Sequence, residues 1–275
     1  MLTGDVFGIT IGAAVLTFVG GIVGGVLSSV AGGASIISYP ILLGCGVPPV
    51  AANVTNHMAK VFDYIGAISA SLKELKGNWL FACLLSIFTV IGSVIGTRLL
   101  LIFPESVFED VVPVLLIFSG AMFLWRNYKA GQDAKKVQIA GGTAMASKFT
   151  AKSKNKKQSR FFAVIVMLLI GCYIGYFGGA SGVLLLVAMD YLSDRAFLVN
   201  NAIKNLIAGF SNLIAFIVYA LSTYVYWTLG IILAVGMFIG GYIGPTLMRH
   251  ISVKLLRYIV AVLSFALAAY FIIYY

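Results

Sequence analysis

Long apolar runs recur along the chain, each closed by small, polar or proline positions. A spanning helix needs about 20 mostly apolar residues. Runs of that kind are read near 8–29, 50–72, 79–102 and 107–126, and again near 161–177, 198–222, 226–247 and 252–274. Two shorter apolar pieces, 34–45 and 180–189, each follow a glycine break. At about 1.5 Å per residue they are too short to cross a bilayer alone. The pattern predicts an all-α polytopic membrane protein with about eight long transmembrane helices and two short broken or half helices. A transmembrane β-barrel would show short alternating segments instead.

The two halves repeat. Val30-Ala31-Gly32-Gly33-Ala34-Ser35 resembles Phe177-Gly178-Gly179-Ala180-Ser181. Asn56 then matches Asn205, and Asp63 matches Asn212. Ile91-Gly92-Ser93-Val94-Ile95-Gly96 matches Ile239-Gly240-Gly241-Tyr242-Ile243-Gly244, and Trp79 meets Trp227. The order is kept with nearly constant offset, as in secondary transporters built from internal repeats. The expected division is a first transmembrane repeat over 1–127, a basic cytoplasmic loop over 128–160 and a second repeat over 161–275. Half-membrane hairpins at the short pieces give four crossings per half and parallel repeats. Short pieces that complete a crossing give five and inverted repeats. The inverted reading keeps Arg249, His250, Lys254 and Arg257 on the side of the basic loop, as the positive-inside rule prefers, and is favoured.

Composition agrees with lipid as the solvent. Hydrophobic residues make up 61 % of the 275 and charged residues 10 %, and the mean hydropathy is +1.02. Soluble domains carry about 25 % charge, and disorder or a disulfide-stapled fold is excluded with them. The net charge of +10 resembles a nucleic-acid signal until it is located. Residues 126–160 hold ten Lys and Arg against the single Asp133. The rest of the chain is nearly neutral, so the charge reads as a topology signal, with anionic-lipid contact as a second use. No nucleic-acid partner is expected. Cys45, Cys83 and Cys172 lie in apolar surroundings without metal-ligand spacing. Residues 1–8 lack the basic start of a signal peptide, and the run that follows is too long for one.

Candidate chemistry sits at the glycine breaks and inside two spans. A short helix after a break leaves N–H groups at its N-terminus that attract an anion. Gly32, Gly33 and Ser35 occupy one such position, and Gly178, Gly179 and Ser181 the other, with both serines expected as N-caps. The alternative is close helix packing through small residues, the preferred reading for Gly92/Gly96 and Gly240/Gly244. The span near 50–72 carries Asn53, Asn56, His57, Lys60 and Asp63, and its counterpart carries Asn200, Asn201, Lys204, Asn205 and Asn212. Charge at membrane depth costs at least about 2.5 kcal/mol per group, so such residues face a cavity or a partner. Asn56, Lys60 and Asp63 share one helix face, as do Asn205 and Asn212. Lys60 and Lys204 offer positive charge for an anion. Asp63 either neutralises Lys60 or, like His57, exchanges a proton. No catalytic residue, cofactor or metal site is expected, and the Walker pattern is absent.

The break running into Ser35-Ile36-Ile37-Ser38-Tyr39-Pro40, followed by Gly46-Val47-Pro48-Pro49-Val50-Ala51-Ala52-Asn53-Val54-Thr55-Asn56, resembles the opening motif of the TauE/SafE family. This is the sulfite exporter or toluene-sulfonate uptake permease family. Gly175-Tyr176-Phe177-Gly178-Gly179-Ala180-Ser181-Gly182 and Asn201-Ala202-Ile203-Lys204-Asn205 look like its second pair of motifs. Thr55-Asn56 departs from the family's Thr-Ser pair, and Leu186 stands where the second half would repeat Pro40. The resemblance implies transport of sulfite, sulfonate or thiosulfate without ATP, coupled to protons or to the anion gradient, in the bacterial plasma membrane. Together the readings give a midplane anion site. Gly32, Gly33, Ser35, Asn56, Gly178, Gly179, Ser181, Lys204 and Asn205 would bind substrate, and His57, Lys60, Asp63 and Asn212 would couple or gate. The partners are a small anion, the bilayer and a second copy in a homodimer. The alternatives are a permease or channel for a neutral metabolite or cation using Asp63, and a non-transport membrane subunit in sulfur metabolism.

Overall fold

The computed structural model describes residues 5–6, 9–139, 156–247 and 253–274, with side chains for 9–129, 131–132, 161–247 and 254–273. Eleven helices are present among them. The first half holds α1 (Ile11–Ala31), α2 (Ser35–Gly44), α3 (Pro49–Ala70), the single turn α4 (Leu72–Leu75), α5 (Trp79–Ile102) and α6 (Glu105–Ile139). The second holds α7 (Lys156–Tyr176), α8 (Ser181–Leu192), α9 (Phe197–Ala220), α10 (Trp227–Leu247) and α11 (Val253–Tyr274). A two-residue antiparallel ladder, Asp5–Val6 with Ile9–Thr10, precedes α1. The loop expected from residue 128 needs correction: α6 continues as helix to Ile139 and α7 begins at Lys156. Residues 140–155 of that loop lie outside the described residues, as do Arg249 and His250.

Local chemistry sets the ends. Thr10 caps α1 by accepting from the Ala13 N–H at 3.3 Å. Gly32, at φ 86°, ends α1 and donates its N–H to the Leu27 and Ser28 carbonyls, a left-handed cap that glycine adopts without strain. Pro49 opens α3, where its missing N–H has no helical partner to lose. Among the described residues, six helices are long and apolar enough to cross a membrane: α1, α5, Glu105–Lys129 of α6, α9, α10 and Lys254–Ile273 of α11. α3 is as long but too polar to count by composition, and most of it is buried inside the bundle instead. The exterior is apolar, with Leu80 75 % and Leu221 83 % exposed. A surface of this kind suits lipid and not water.

Close glycine contacts fix the direction of each helix pair. Gly21 meets Gly236 and Gly25 meets Gly240, so α1 and α10 are parallel. Thr55 lies by Gly230 and Asp63 by Gly241, so α3 is parallel to α10. Thr89 lies by Gly171 and Ser93 by Gly175, so α5 is parallel to α7. Ser93 Oγ donates to the Ser211 carbonyl and Thr97 lies near Tyr219, so α5 is also parallel to α9. Between α3 and α9 the order reverses, for Tyr64 touches Gly209 whereas His57 packs on Tyr219 with ring centres 5.3 Å apart. α6 and α11 reverse too: Gly120 meets Phe265, while Asn127 donates to the Lys254 carbonyl at 2.9 Å. Every long helix therefore runs opposite to its counterpart, and the repeats are inverted. The glycine pairs read as packing positions do pack helix on helix. They do so across the repeats, interlocking the two halves.

The short helices do not complete crossings. α2 folds back along α1, with Gly24 near Ala34, Gly20 near Ile41 and Thr17 Oγ1 3.8 Å from Cys45 Sγ. α8 folds back along α7, with the Tyr173 hydroxyl donating to the Gly179 carbonyl and Phe162 5.8 Å from Tyr191 by ring centres. The coupling expected between hairpins and parallel repeats is thus corrected. Each hairpin returns to its own side, three passes remain in each half, and an odd number inverts the second half.

Charge is sorted between the two ends. One end carries Lys73, Lys76, Arg126, Lys129, Arg195, Lys254 and Arg257 with Glu74, Asp190 and Asp194, and the other carries Glu105, Glu109 and Asp110 with Arg98. The interlock can be tested by one methyl group. A Cβ on Gly240 would stand 2.1 Å from the Ile22 carbonyl oxygen, whereas one on Gly12 meets nothing within 4 Å. Gly240→Ala should cost about 1–3 kcal/mol through overpacking. Gly12→Ala should stabilise by up to about 1 kcal/mol through helix propensity. Melting of both variants in one detergent reads the difference, and equal melting temperatures would contradict the interlock.

Candidate functional site

The two hairpins enter from opposite ends and meet tip to tip. A Cβ on Gly32 would lie 2.5 Å from Gly182 Cα, and one on Gly182 would lie 2.4 Å from Gly32 Cα. Only glycine at both positions allows that approach. The second tip turns through Gly178 at φ 71° and Ala180 at φ 55°, a costly conformation for a residue with a Cβ. Each tip leaves the last carbonyls of one helix and the first N–H groups of the next without helical partners. In lipid such groups need partners from the protein.

The polar faces of α3 and α9 supply the partners for the carbonyls, and each serves the opposite half. From α3, Asn53 Nδ2 donates to the Tyr176 carbonyl at 3.0 Å and Lys60 Nζ to the Gly178 carbonyl at 3.4 Å. The His57 ring nitrogens approach the Asn53 and Ile174 carbonyls at 2.9 Å each, clamping α3 to the end of α7. From α9, Asn201 Nδ2 donates to the Ser29 carbonyl at 2.9 Å. Lys204 Nζ donates to the Ser28 and Ser29 carbonyls at 3.0 and 3.3 Å. Cations at helix C-termini are also favoured by the helix dipole.

Asp63 completes the cluster. Its carboxylate lies within electrostatic range of Lys204, Lys60 and the Ser28 hydroxyl and rests against Gly241. Neither of its oxygens accepts a hydrogen bond. Lys60, Asp63 and Lys204 are all at most 1 % exposed. Two lysine side chains thus flank one aspartate in the buried interior. Both polar atoms of Asn205, and the Oδ1 atoms of Asn53, Asn201 and Asn212, are buried without partners. An unpaired buried polar group costs about 1–3 kcal/mol, so this concentration makes the cluster the candidate site.

The structure redistributes some expected roles. Ser35 and Ser181 are the first helical residues, and the N-caps are Ala34 and Ala180. The Ser35 hydroxyl accepts from Asn56 Nδ2 at 3.0 Å, and Asn56 Oδ1 accepts from Ser38 Oγ at 2.6 Å. Asn56 is therefore spent on holding α2 to α3. Ser181 Oγ donates to the Gly178 carbonyl, and Asn212 Nδ2 to the Ala208 carbonyl. Gly33 lies against Phe123 and Val260, and Gly179 against Phe177, on the apolar sides of the tips. The N–H groups of Gly33, Ala34, Ser35, Gly179 and Ala180 donate to no group among the described residues. Ser28 and Ser29 escaped the sequence reading, although a polar pair one turn before a left-handed glycine signals exposed helix-end carbonyls. Arg126 was grouped with the solvated loop, yet it is buried and paired with Asp190 at 3.0 Å. A pocket of about 360 Å³ at the basic end is walled by Ser69, Glu74, Thr246 and Asn201, the last of which also holds the Ser29 carbonyl.

Comparison with known proteins places this architecture. The family model described as "Sulfite exporter TauE/SafE" matches residues 16–271. A "Probable membrane transporter protein" of Haemophilus influenzae is 26 % identical over 257 residues, covering 92 % of both chains. "Probable membrane transporter protein ORF9" of Sinorhizobium sp is 26 % identical over 91 % of this chain and 89 % of its own. "Probable membrane transporter protein YfcA" of Escherichia coli K12 is 26 % identical over 89 % and 84 %. No solved structure shows a significant match.

The mirrored clamps make a symmetric prediction. Asn53→Ala and Asn201→Ala each strand a buried helix-end carbonyl, so each should cost about 1–3 kcal/mol. Thermal melting checks this. A large loss from one and none from the other would contradict the clamp at the silent position.

Proposed function

The chain belongs to the sulfite exporter TauE/SafE family of membrane transporters, and we propose that it carries small sulfur-containing anions of the sulfite, sulfonate or thiosulfate type. The observation that supports this reading best is the buried Lys60–Asp63–Lys204 cluster at the meeting point of the hairpin tips. A net positive centre in a low-dielectric interior attracts an anion strongly. Lys204 holds α1 carbonyls with part of its ammonium group, and its remaining donor capacity, with the unpaired amide of Asn205, would bind anion oxygens. The N–H groups at the starts of α2 and α8 would add to them. Asn56 and Ser35 would position the first tip, and His57 the second. The site would be gated by movement of the two hairpins past each other, one from each side.

Asp63 supplies the coupling. While it is ionised it offsets one lysine. Protonation would leave both ammonium groups uncompensated, so proton uptake and anion uptake would favour each other. The 128–160 segment would face the cytoplasm of a bacterial cell, because the cations gather at that end of the bundle.

Thermal stabilisation by sulfite, sulfate, thiosulfate, taurine, sulfoacetate and chloride tests the reading. A ligand at 100 times its Kd adds about 2.7 kcal/mol. One sulfur oxyanion should stabilise the protein, and Lys204→Gln, which keeps a hydrogen-bond donor but removes the charge, should weaken it at least about tenfold. Stabilisation by no anion, or an unchanged affinity in the folded Lys204→Gln variant, would overturn the anion site. Stabilisation by a cation and its loss in Asp63→Asn would replace it with a cation permease.

A further inference from the structure

At the basic end, on the outer face of the bundle, α6, α7 and α8 enclose a groove of about 750 Å³. Its floor and walls are apolar, among them Phe118, Phe162, Leu169 and Leu184. Phe162 is 51 % and Leu169 65 % exposed, so the groove opens sideways, where the apolar belt meets lipid. Its end toward the loops has a different chemistry. Asp190 lines it and accepts from Arg126 Nη2 at 3.0 Å. Lys129 lines it too, with Nζ 5.2 Å above the Trp125 ring. Arg257 of α11 lies within electrostatic range of both Arg126 and Asp190.

Charge and hydrogen bonding are both out of balance there. Arg126 and Arg257 share the single Asp190 carboxylate, and Lys129 adds a third cation at the same end of the groove. Arg126 and Arg257 are 7 % and 6 % exposed, and Arg126 Nη1 and Arg257 Nε have no acceptor. A buried guanidinium normally has its fork filled by a carboxylate or phosphate. An apolar channel open to the bilayer whose far end is lined by Lys129 and by Asp190, with the Arg126 and Arg257 guanidinium groups buried behind that carboxylate, matches a lipid with an acyl tail and an anionic head. A water-soluble anion would use the cations and leave the groove unused.

We propose that this groove is a binding site for an anionic phospholipid, with one acyl chain between α6, α7 and α8 and the phosphate at Lys129, held in the field of the buried Arg126 and Arg257. The site is separate from the hairpin tips. Its bound lipid would brace α8, the returning arm of the second hairpin, against α6.

The experiment uses the full chain in detergent, with native mass spectrometry and thermal melting in the presence of dioleoyl phosphatidylglycerol, dioleoyl phosphatidylcholine or glycerol phosphate. Phosphatidylglycerol should be retained and should raise the melting temperature, while the other two should do neither. Lys129→Ala should weaken phosphatidylglycerol binding roughly fivefold. Leu169→Trp, which fills the groove and keeps every charge, should also lower retention. Equal retention of both lipids, or an unchanged preference in both variants, would overturn the proposal. A full effect from glycerol phosphate alone would overturn it in favour of a free-anion site. Both substitutions are at exposed positions, so the result does not depend on a variant with a broken core.

Discussion

The contact between Gly32 and Gly182 is the constraint from which the rest of the architecture follows. Two hairpins that stop in the middle of a membrane protein bring four helix ends into a region without bulk water. Those ends cannot be left bare. Their carbonyls are taken by Asn53, His57 and Lys60 on one side and by Asn201 and Lys204 on the other. α3 and α9 must therefore be polar where the other spans are apolar. Polar helices cannot face lipid, and they are covered by α10 and α5 respectively, the first through glycines at backbone contact and the second through Ser93 against the Ser211 carbonyl. The small residues of the chain, its buried charges and its interlocked halves are consequences of one junction.

That junction also explains why the two lysines admit both a structural and a functional account. Each caps a helix C-terminus of the opposite repeat, a role sufficient to keep it. Capping alone does not explain Asp63, whose oxygens are unpaired, or Asn205, whose amide has no partner at all. A purely structural cluster would be expected to satisfy its own members. The unspent polar atoms are concentrated around the tips, and there the functional reading takes over.

Much of this was legible in the sequence, and the limits are physical. Span positions followed from the lengths of apolar runs, and the breaks followed from the glycine clusters, because both are local properties. The inverted arrangement was favoured by where Lys254 and Arg257 fall. The reason for it lay in the folding back of α2 on α1, a contact that no period or composition reports. Asn56 and Lys204 stood out in the sequence as polar residues inside apolar spans. That one would be spent on Ser35 and Ser38, and the other on Ser28 and Ser29, depended on which helices touch. Arg126 read as part of a basic loop because its neighbours in sequence are cations. Its partner, Asp190, is far away along the chain.

The most direct test of the account is where the anion sits. Crystals of the full chain soaked with selenite, an electron-rich analogue of sulfite, would show the position by anomalous scattering. The account predicts a peak at the hairpin tips beside Lys204 and Asn205. A peak confined to the arginines at the basic end, with none between the tips at saturating concentration, would contradict it.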